Sequence, residues 1–227
     1  MVKRCFILGN GPSLNKVDLT LLKNEITFGC NKIYLNYDKM GYAVYTYFII
    51  DRNDFLCYGT SGMVRDYLKK PENIKVFITA DADAFFVGVP EIRVKTTGNY
   101  APPFTEHYDP ICTSVVMIAE AMKQGYKEIY LIGVDLYYDM SLFSHTSDRN
   151  DVKLVKPDTS HFTEHYWDDM TFNVATDQNN RLIQCHTRLA DYIKIIGVRV
   201  FNAGVGGCAD MFPRVDYYSL FKQKQRR

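Results

Sequence analysis

The sequence predicts an α/β fold built on a doubly wound, mainly parallel sheet. Three observations carry that prediction: short runs of continuous rather than alternating apolar residues, helix-patterned stretches between them, and polar or glycine-rich residues just after the runs end. Continuous apolar runs mark strands buried on both faces. Strands that alternate with helices join through crossovers into a parallel sheet. In such sheets ligands sit beyond the carboxyl ends of the strands.

Taken in order, the strands fall at 3–8 (KRCFIL), 26–30 (ITFGC), 44–50 (VYTYFII), 74–79 (IKVFIT), 128–133 (EIYLIG) and 197–201 (GVRVF). Helices are expected at 61–70, 113–124 and 177–196; the last carries Leu182, Ile183, Leu189, Tyr192, Ile193 and Ile196 at near-helical spacing. Residues 95–110 are rich in Pro, Gly and Tyr and read as an irregular loop. The stretch 137–170 is polar, aromatic and weakly periodic, and holds three of the five histidines and the only Trp. A loop of that length is seldom mere connection, so it is expected to be an active-site lid within one domain spanning 1–227.

Composition narrows the function classes. The 227 residues suit one domain with a substantial core. With 27 basic and 26 acidic residues the net charge is +1, so no global field draws nucleic acid or an anionic membrane. The six cysteines are scattered singly, without C-x-x-C pairs, which predicts reduced, mostly buried thiols and a cytoplasmic setting. No run approaches the length of a membrane span and no signal peptide is visible. The 17 Tyr and 14 Phe suit amphipathic pocket walls or an aromatic core.

The most informative stretch is Phe6 to Leu14, FILGNGPSL. An apolar strand runs into Gly9-Asn10-Gly11-Pro12-Ser13 and then a helix start, where free N–H groups and the helix dipole favour anionic oxygen. The expected role is a nucleotide or phosphate cradle; the alternative is a tight strand-to-helix connection with no ligand. The loop is neither G-x-G-x-x-G, since Leu14 stands at the third glycine position, nor a Walker loop, since its Lys is missing.

Asn31, Asp51 and Asp135 follow strands two, three and 128–133, where such side chains accept ribose hydroxyls, read a base edge or hold a metal. Singly each also reads as a turn or cap. Thr113 or Ser114 is a natural N-cap, and that helix start is a second candidate contact for a phosphate or sugar. In Ser160-His161-Phe162-Thr163-Glu164-His165 the histidines are four apart, on one face if the segment is helical. They lack the Glu of a zinc-protease motif and suit general-base work. His186, within the long helix, reads as packing or surface, and the G-x-S-x-G signature of a hydrolase is absent.

Gly9-Asn10-Gly11-Pro12-Ser13-Leu14, Gly29-Cys30-Asn31, Thr113-Ser114, Gly125 to Asp135 and Ser160-His161-x-x-x-His165, in this order, make residues 1–170 resemble the bacterial lipooligosaccharide sialyltransferases. Phe201-Asn202-Ala203-x-x-Gly206-Gly207 and Phe212 to Phe221 extend a similarity to proteins related to 6-hydroxymethylpterin pyrophosphokinase, both groups being of one Rossmann-like fold. The resemblance implies that Asn10, Asn31 and the Thr113-Ser114 turn hold a nucleotide, beside the cradle expected of Gly9, Gly11 and Ser13, and that Gly133 and Asp135 face its ribose. It places Tyr137, with Tyr138 beside it, against the departing phosphate, and His165 rather than His161 as catalytic base. Two departures stand out: Asp51 replaces a sugar-binding Asn and Phe162 a lid Tyr. The carboxylate of Asp51 calls for a cation or a neutral donor sugar.

The expected activity is therefore transfer of a sugar from a nucleotide sugar, CMP being the expected nucleotide, to a glycan or small-molecule acceptor by direct displacement, with no metal or other cofactor required. The enzyme alternative is pyrophosphoryl transfer from ATP to a pterin-like alcohol, with Mg²⁺ on Asp51 and Asp135. The third is a nucleotide-binding accessory protein without turnover. An oligomer is compatible with all three.

Overall fold

The computed structural model describes residues 2–49, 76–79, 93–96, 112–145, 151–167, 171–173 and 177–222. Seven strands form the main sheet: β1 (Arg4–Leu8), β2 (Thr27–Cys30), β3 (Thr46–Ile49), β4 (Val76–Thr79), β5 (Arg93–Thr96), β6 (Glu128–Ile132) and β10 (Arg199–Asn202). Their spatial order is β10-β6-β1-β2-β3-β4-β5, and every neighbouring pair is parallel. From β1 the chain winds outward through β2 to β5, then returns to β6 and β10 on the other side. The doubly wound expectation holds, and the order reverses between β1 and β6. That is the crevice where open α/β sheets hold their ligands.

The two faces of the sheet follow the two-residue period of the strands. Phe6 and Leu8 of β1 with Tyr130 and Ile132 of β6 enter one cluster, completed by Leu14, Leu22, Ile33, Tyr47 and Tyr217. Cys5 and Ile7 with Ile129 and Leu131 enter the other, under the helices. Two helices cover that second face. The helix α2 (Thr113–Lys123) lies between sheet and surface and is buried continuously from Ser114 to Ala121. Helix α3 (Gln178–Ile196) buries only His186, Leu189, Ala190 and Ile193, the i, i+3, i+4, i+7 stripe of an outer helix, and stops at Gly197 in the left-handed region (φ 67°). The first face is covered by short 3-10 turns at Pro12–Lys16, Leu19–Leu22, Asn31–Asn36 and Tyr217–Leu220, and by the one-turn helix α1 (Tyr37–Met40).

The helices expected at 113–124 and 177–196 are present within a residue or two, whereas 61–70 lies outside the described residues. β5 reads RVKT, too polar to signal a buried strand, because it occupies the edge of the sheet. The stretch expected as a long loop contains most of a second sheet. Here β7 (Phe143–His145), β8 (Asp151–Leu154) and β9 (Thr171–Asn173) pair antiparallel in sequence order. Three- and four-residue strands show too little alternation to be read from sequence.

Glycine allows the β1 and β6 loops to touch. A Cβ on Gly9 would lie 2.2 Å from the Gly133 carbonyl oxygen, whereas one on Gly41 (φ 74°) would meet nothing within 4 Å. Gly9→Ala is expected to destabilise the chain by about 3 kcal/mol, through backbone displacement. Gly41→Ala should lose only about 1 kcal/mol, the strain of a left-handed alanine. Urea unfolding of the two variants side by side checks this; equal losses would refute the close approach.

Candidate functional site

The rim at the carboxyl ends of β1 and β6 is stitched together by backbone before any ligand is considered. The Gly9 amide donates to the Ile132 carbonyl and the Gly11 amide to the Gly133 carbonyl, both at 2.8 Å. The Ser13 amide then donates to Asp135 Oδ2 at 2.8 Å, and the Ser13 hydroxyl to Oδ1. Asp135 is 8% exposed, and its own carbonyl accepts from the Cys208 amide in the loop after β10. Gly207 packs against it, so closely that a Cβ there would lie 2.8 Å from the Asp135 Cα. Two neighbours in the second loop, Gly133 (φ 69°) and Leu136 (φ 55°), hold left-handed backbone to make the turn.

This geometry corrects the cradle expected from FILGNGPSL. The segment after Pro12 is a five-residue 3-10 helix with Gly11 at its N-cap, and the anionic oxygen at its start is the protein's own Asp135 carboxylate. The amides of Gly9, Gly11 and Ser13 are all spent inside the protein. Gly9, Gly11, Ser13, Gly133 and Asp135 therefore build the rim as a unit.

Among the described residues of the rim, two asparagine side chains keep an unpaired oxygen. Asn10 Nδ2 donates to the Cys30 carbonyl at 3.1 Å, which brings the first loop against the end of β2. Its Oδ1 is buried without a hydrogen-bond partner, and so is Oδ1 of Asn31 in the next turn. Asn31 also sits at φ 50°, and its carbonyl accepts from the Tyr47 hydroxyl. An unsatisfied buried oxygen is unfavourable by about 1–3 kcal/mol, and strained backbone gathers at functional positions. Two such oxygens in successive loops of the rim are acceptors suited to N–H or O–H donors.

The start of α2 differs from expectation. Cys112, not Thr113 or Ser114, is the N-cap, and it makes no side-chain cap; Val115 and Val116 amides bond its carbonyl. Ser114 turns inward, its hydroxyl 2.9 Å from His186 Nε2 and 3.0 Å from Cys112 Sγ. His186 Nδ1 lies 2.7 Å from the Leu182 carbonyl, which only accepts. The proton is thus on Nδ1, Nε2 is bare, and Ser114 donates to it. This hydroxyl serves the core, not a ligand.

Residues 160–167 and 137–138 are fixed against the rim and α3. The Phe162 amide donates to the Asn10 carbonyl at 2.9 Å and Asn15 Nδ2 to the Phe162 carbonyl at 2.6 Å. Tyr138 is pinned to α3 through both its amide and its carbonyl by Asn179. Tyr137 beside it is half exposed.

Residues 160–167 form bends and turns rather than a helix, so His161 and His165 do not share a face. His165 stands in solvent, 3.7 Å from Glu164. His161 is buried, its Nδ1 2.7 Å from Asp158 Oδ2, while Asp158 Oδ1 accepts the Ser160 amide at 2.8 Å. Its ring stacks on Tyr166 at 3.8 Å with a 5° tilt and lies 5.5 Å from the Tyr138 ring. Burial pulls the His161 pKa down; the Asp158 hydrogen bond and charge oppose this, and Lys32 reinforces it. Sequence reading missed Asp158, although Asp-x-x-His places a carboxylate one turn before the histidine.

Asp51 lies outside the described residues. Among the described residues no group of three or more His, Cys, Asp or Glu side chains is placed to hold a metal ion. No helix among them is long and apolar enough to cross a membrane.

Fold and rim together define a doubly wound α/β protein with its crevice between β1 and β6. No protein-family model matches the chain, and no curated protein matches it. Among solved structures it is similar to the sialyltransferase CstII of Campylobacter jejuni in complex with cytidine-5'-monophosphate, at 18% identity and a TM-score of 0.56 over 94% of this chain and 85% of that one. It is also similar to an α-2,3-sialyltransferase of the same organism in apo form, at 19% identity and a TM-score of 0.55 over 94% and 80%. A third likeness is to the MAf glycosyltransferase of Magnetospirillum magneticum AMB-1, at 14% identity and a TM-score of 0.55, spanning 96% of this chain and 34% of that one. At these identities the likenesses establish the fold.

The buried His186 makes stability depend on pH. Burial lowers its pKa from 6.5 to about 4. The unfolded chain therefore takes up this proton first as pH falls. Stability from this residue is complete above about pH 6.5, declines down to about pH 4 and is flat below, a loss of about 3 kcal/mol. Unfolding free energies of the wild type and His186→Gln between pH 7 and 4 isolate it: the wild type should lose more, and parallel curves would refute the assignment.

Proposed function

We propose that the chain transfers a sugar from a CMP-activated donor to a hydroxyl acceptor by direct displacement, with His161 as general base. The observation that carries this reading is the Asp158–His161 pair on the rim. A carboxylate that accepts a hydrogen bond from Nδ1–H fixes the tautomer and leaves Nε2 to accept a proton, the arrangement of an oriented base. The CMP complex of a protein with the same fold supports cytidine as the nucleotide, and the open acceptors on Asn10 and Asn31 suit a base amine or ribose hydroxyls.

In the proposed step His161 Nε2 removes the proton of the acceptor hydroxyl as its oxygen bonds to the anomeric carbon of the donor. The bond from that carbon to the phosphate oxygen breaks, and its electron pair leaves with CMP. Hydroxyls of Tyr137 and Tyr138 donate to the phosphate as charge gathers there. No metal or other cofactor is needed. His165, which the sialyltransferase resemblance favours, is the competing base; its exposure weighs against it.

A thermal-shift panel of CMP, UDP, GDP and ATP, with and without Mg²⁺, tests the donor. CMP at a hundredfold excess over its dissociation constant should add roughly 2.7 kcal/mol. A shift confined to ATP with Mg²⁺ would favour the pyrophosphokinase alternative, and affinity without product an accessory protein. For the base, His161→Gln should lower turnover by about 10² to 10⁴ with CMP binding retained, and His165→Ala by only a few-fold. The reverse ranking would return the role to His165. The 137–170 segment is expected to open for substrate, so limited proteolysis should cut it less when CMP is bound; equal cutting would remove the lid.

A further inference from the structure

Lys32 follows Asn31 in the turn after β2 and is 9% exposed, an uncommon state for an ammonium group. Its Nζ donates to the Tyr166 carbonyl and lies 5.6 Å from the centre of the Tyr166 ring. That ring is the one against which His161 is stacked, at 3.8 Å. Burying a charge is strongly unfavourable unless it gains something specific in return. Here the gain is a link between two parts of the rim: the β2 turn that carries Asn31 and the 160–167 turn that carries His161.

We propose that Lys32 is the positioning residue of His161, fastening its turn to the rim and holding the imidazole as a proton acceptor rather than as half of an ion pair. The inference rests on the reading of His161 as the base. The charged side chains that act on His161 are Asp158 and Lys32, with the rings of Tyr138, Tyr166 and Trp167 packed around it. Asp158 draws a proton onto the ring, against the burial that disfavours it. A histidine that already holds a proton cannot take one from an acceptor hydroxyl. Burial is the main influence against that state and the Lys32 charge adds to it, so the Asp158 contact orients the ring without occupying its free nitrogen.

The test uses the full chain with isotopically labelled histidine, the His161 resonance being assigned by its loss in His161→Gln. In the wild type His161 should titrate below 6.5, the ordinary value. Lys32→Gln keeps a donor for the Tyr166 carbonyl but removes the charge, and should move the His161 midpoint upward. Lys32→Arg should restore it. Where turnover is measured, the acid limb of the pH–rate profile should move with the midpoint, which a merely structural role would not cause. An unchanged midpoint in folded Lys32→Gln overturns the inference. If that variant does not fold, Lys32→Met gives the same readout; if neither folds, a wild-type midpoint at or above 6.5 overturns it. Normal turnover by His161→Gln would instead overturn the base assignment, and the titration would still decide the role of Lys32.

Discussion

The contact between Ser13 and the buried Asp135 carboxylate is the constraint around which the rest of this rim is arranged. A carboxylate removed from water must be given donors, and Ser13 supplies two, one from its amide and one from its hydroxyl. To reach them the β1 and β6 loops must pass within backbone contact. Gly9 and Gly11 leave the space for this, since a Cβ on Gly11 would lie 2.4 Å from Asp135 Oδ2. From the other side the loop after β10 closes through the Cys208 amide and Gly207. One buried anion thus ties together three strand ends on both sides of the point where the sheet order reverses.

A consequence is that the protein fills its own anion cradle. In many α/β folds the amides of the first glycine loop meet a phosphate. Here they are spent on Ile132, Gly133 and Asp135, and the unpaired acceptors are the side-chain oxygens of Asn10 in the same loop and of Asn31 after β2. The two are coupled, because Asn10 is fixed by the Cys30 carbonyl just before Asn31. The turn carrying His161 is fixed to the same place through the Phe162 amide on Asn10 and through Lys32 on Tyr166.

The parallel sheet was legible because β1, β2, β3, β4, β6 and β10 carry apolar runs, and helices α2 and α3 because their patterns are long. The edge strand β5 and the short strands β7 to β9 carry no comparable signal. At the site the positions were legible and the orientations were not. Residues after strand ends fall on the rim by topology, so Asn10, Asn31 and Asp135 could be named. Whether a side chain faces a ligand or the core depends on partners distant in sequence, Ser13 for Asp135 and His186 for Ser114, or on the path of a local turn, as with Asp158 and Tyr166 around His161. A spacing of four places two histidines on one face only in a helix, and 160–167 is a turn.

The central claim is that the unsatisfied oxygens of Asn10 and Asn31 are the atoms that read the ligand. Calorimetric titration of CMP into Asn31→Gly tests it directly, since glycine accepts the φ of 50° without strain and removes only the side chain. The account predicts CMP binding by the wild type and a loss of about tenfold or more in the variant, about 1.4 kcal/mol, with thermal stability of the free protein unchanged or raised. Equal CMP affinity in the two proteins, or no binding by the wild type, would contradict it.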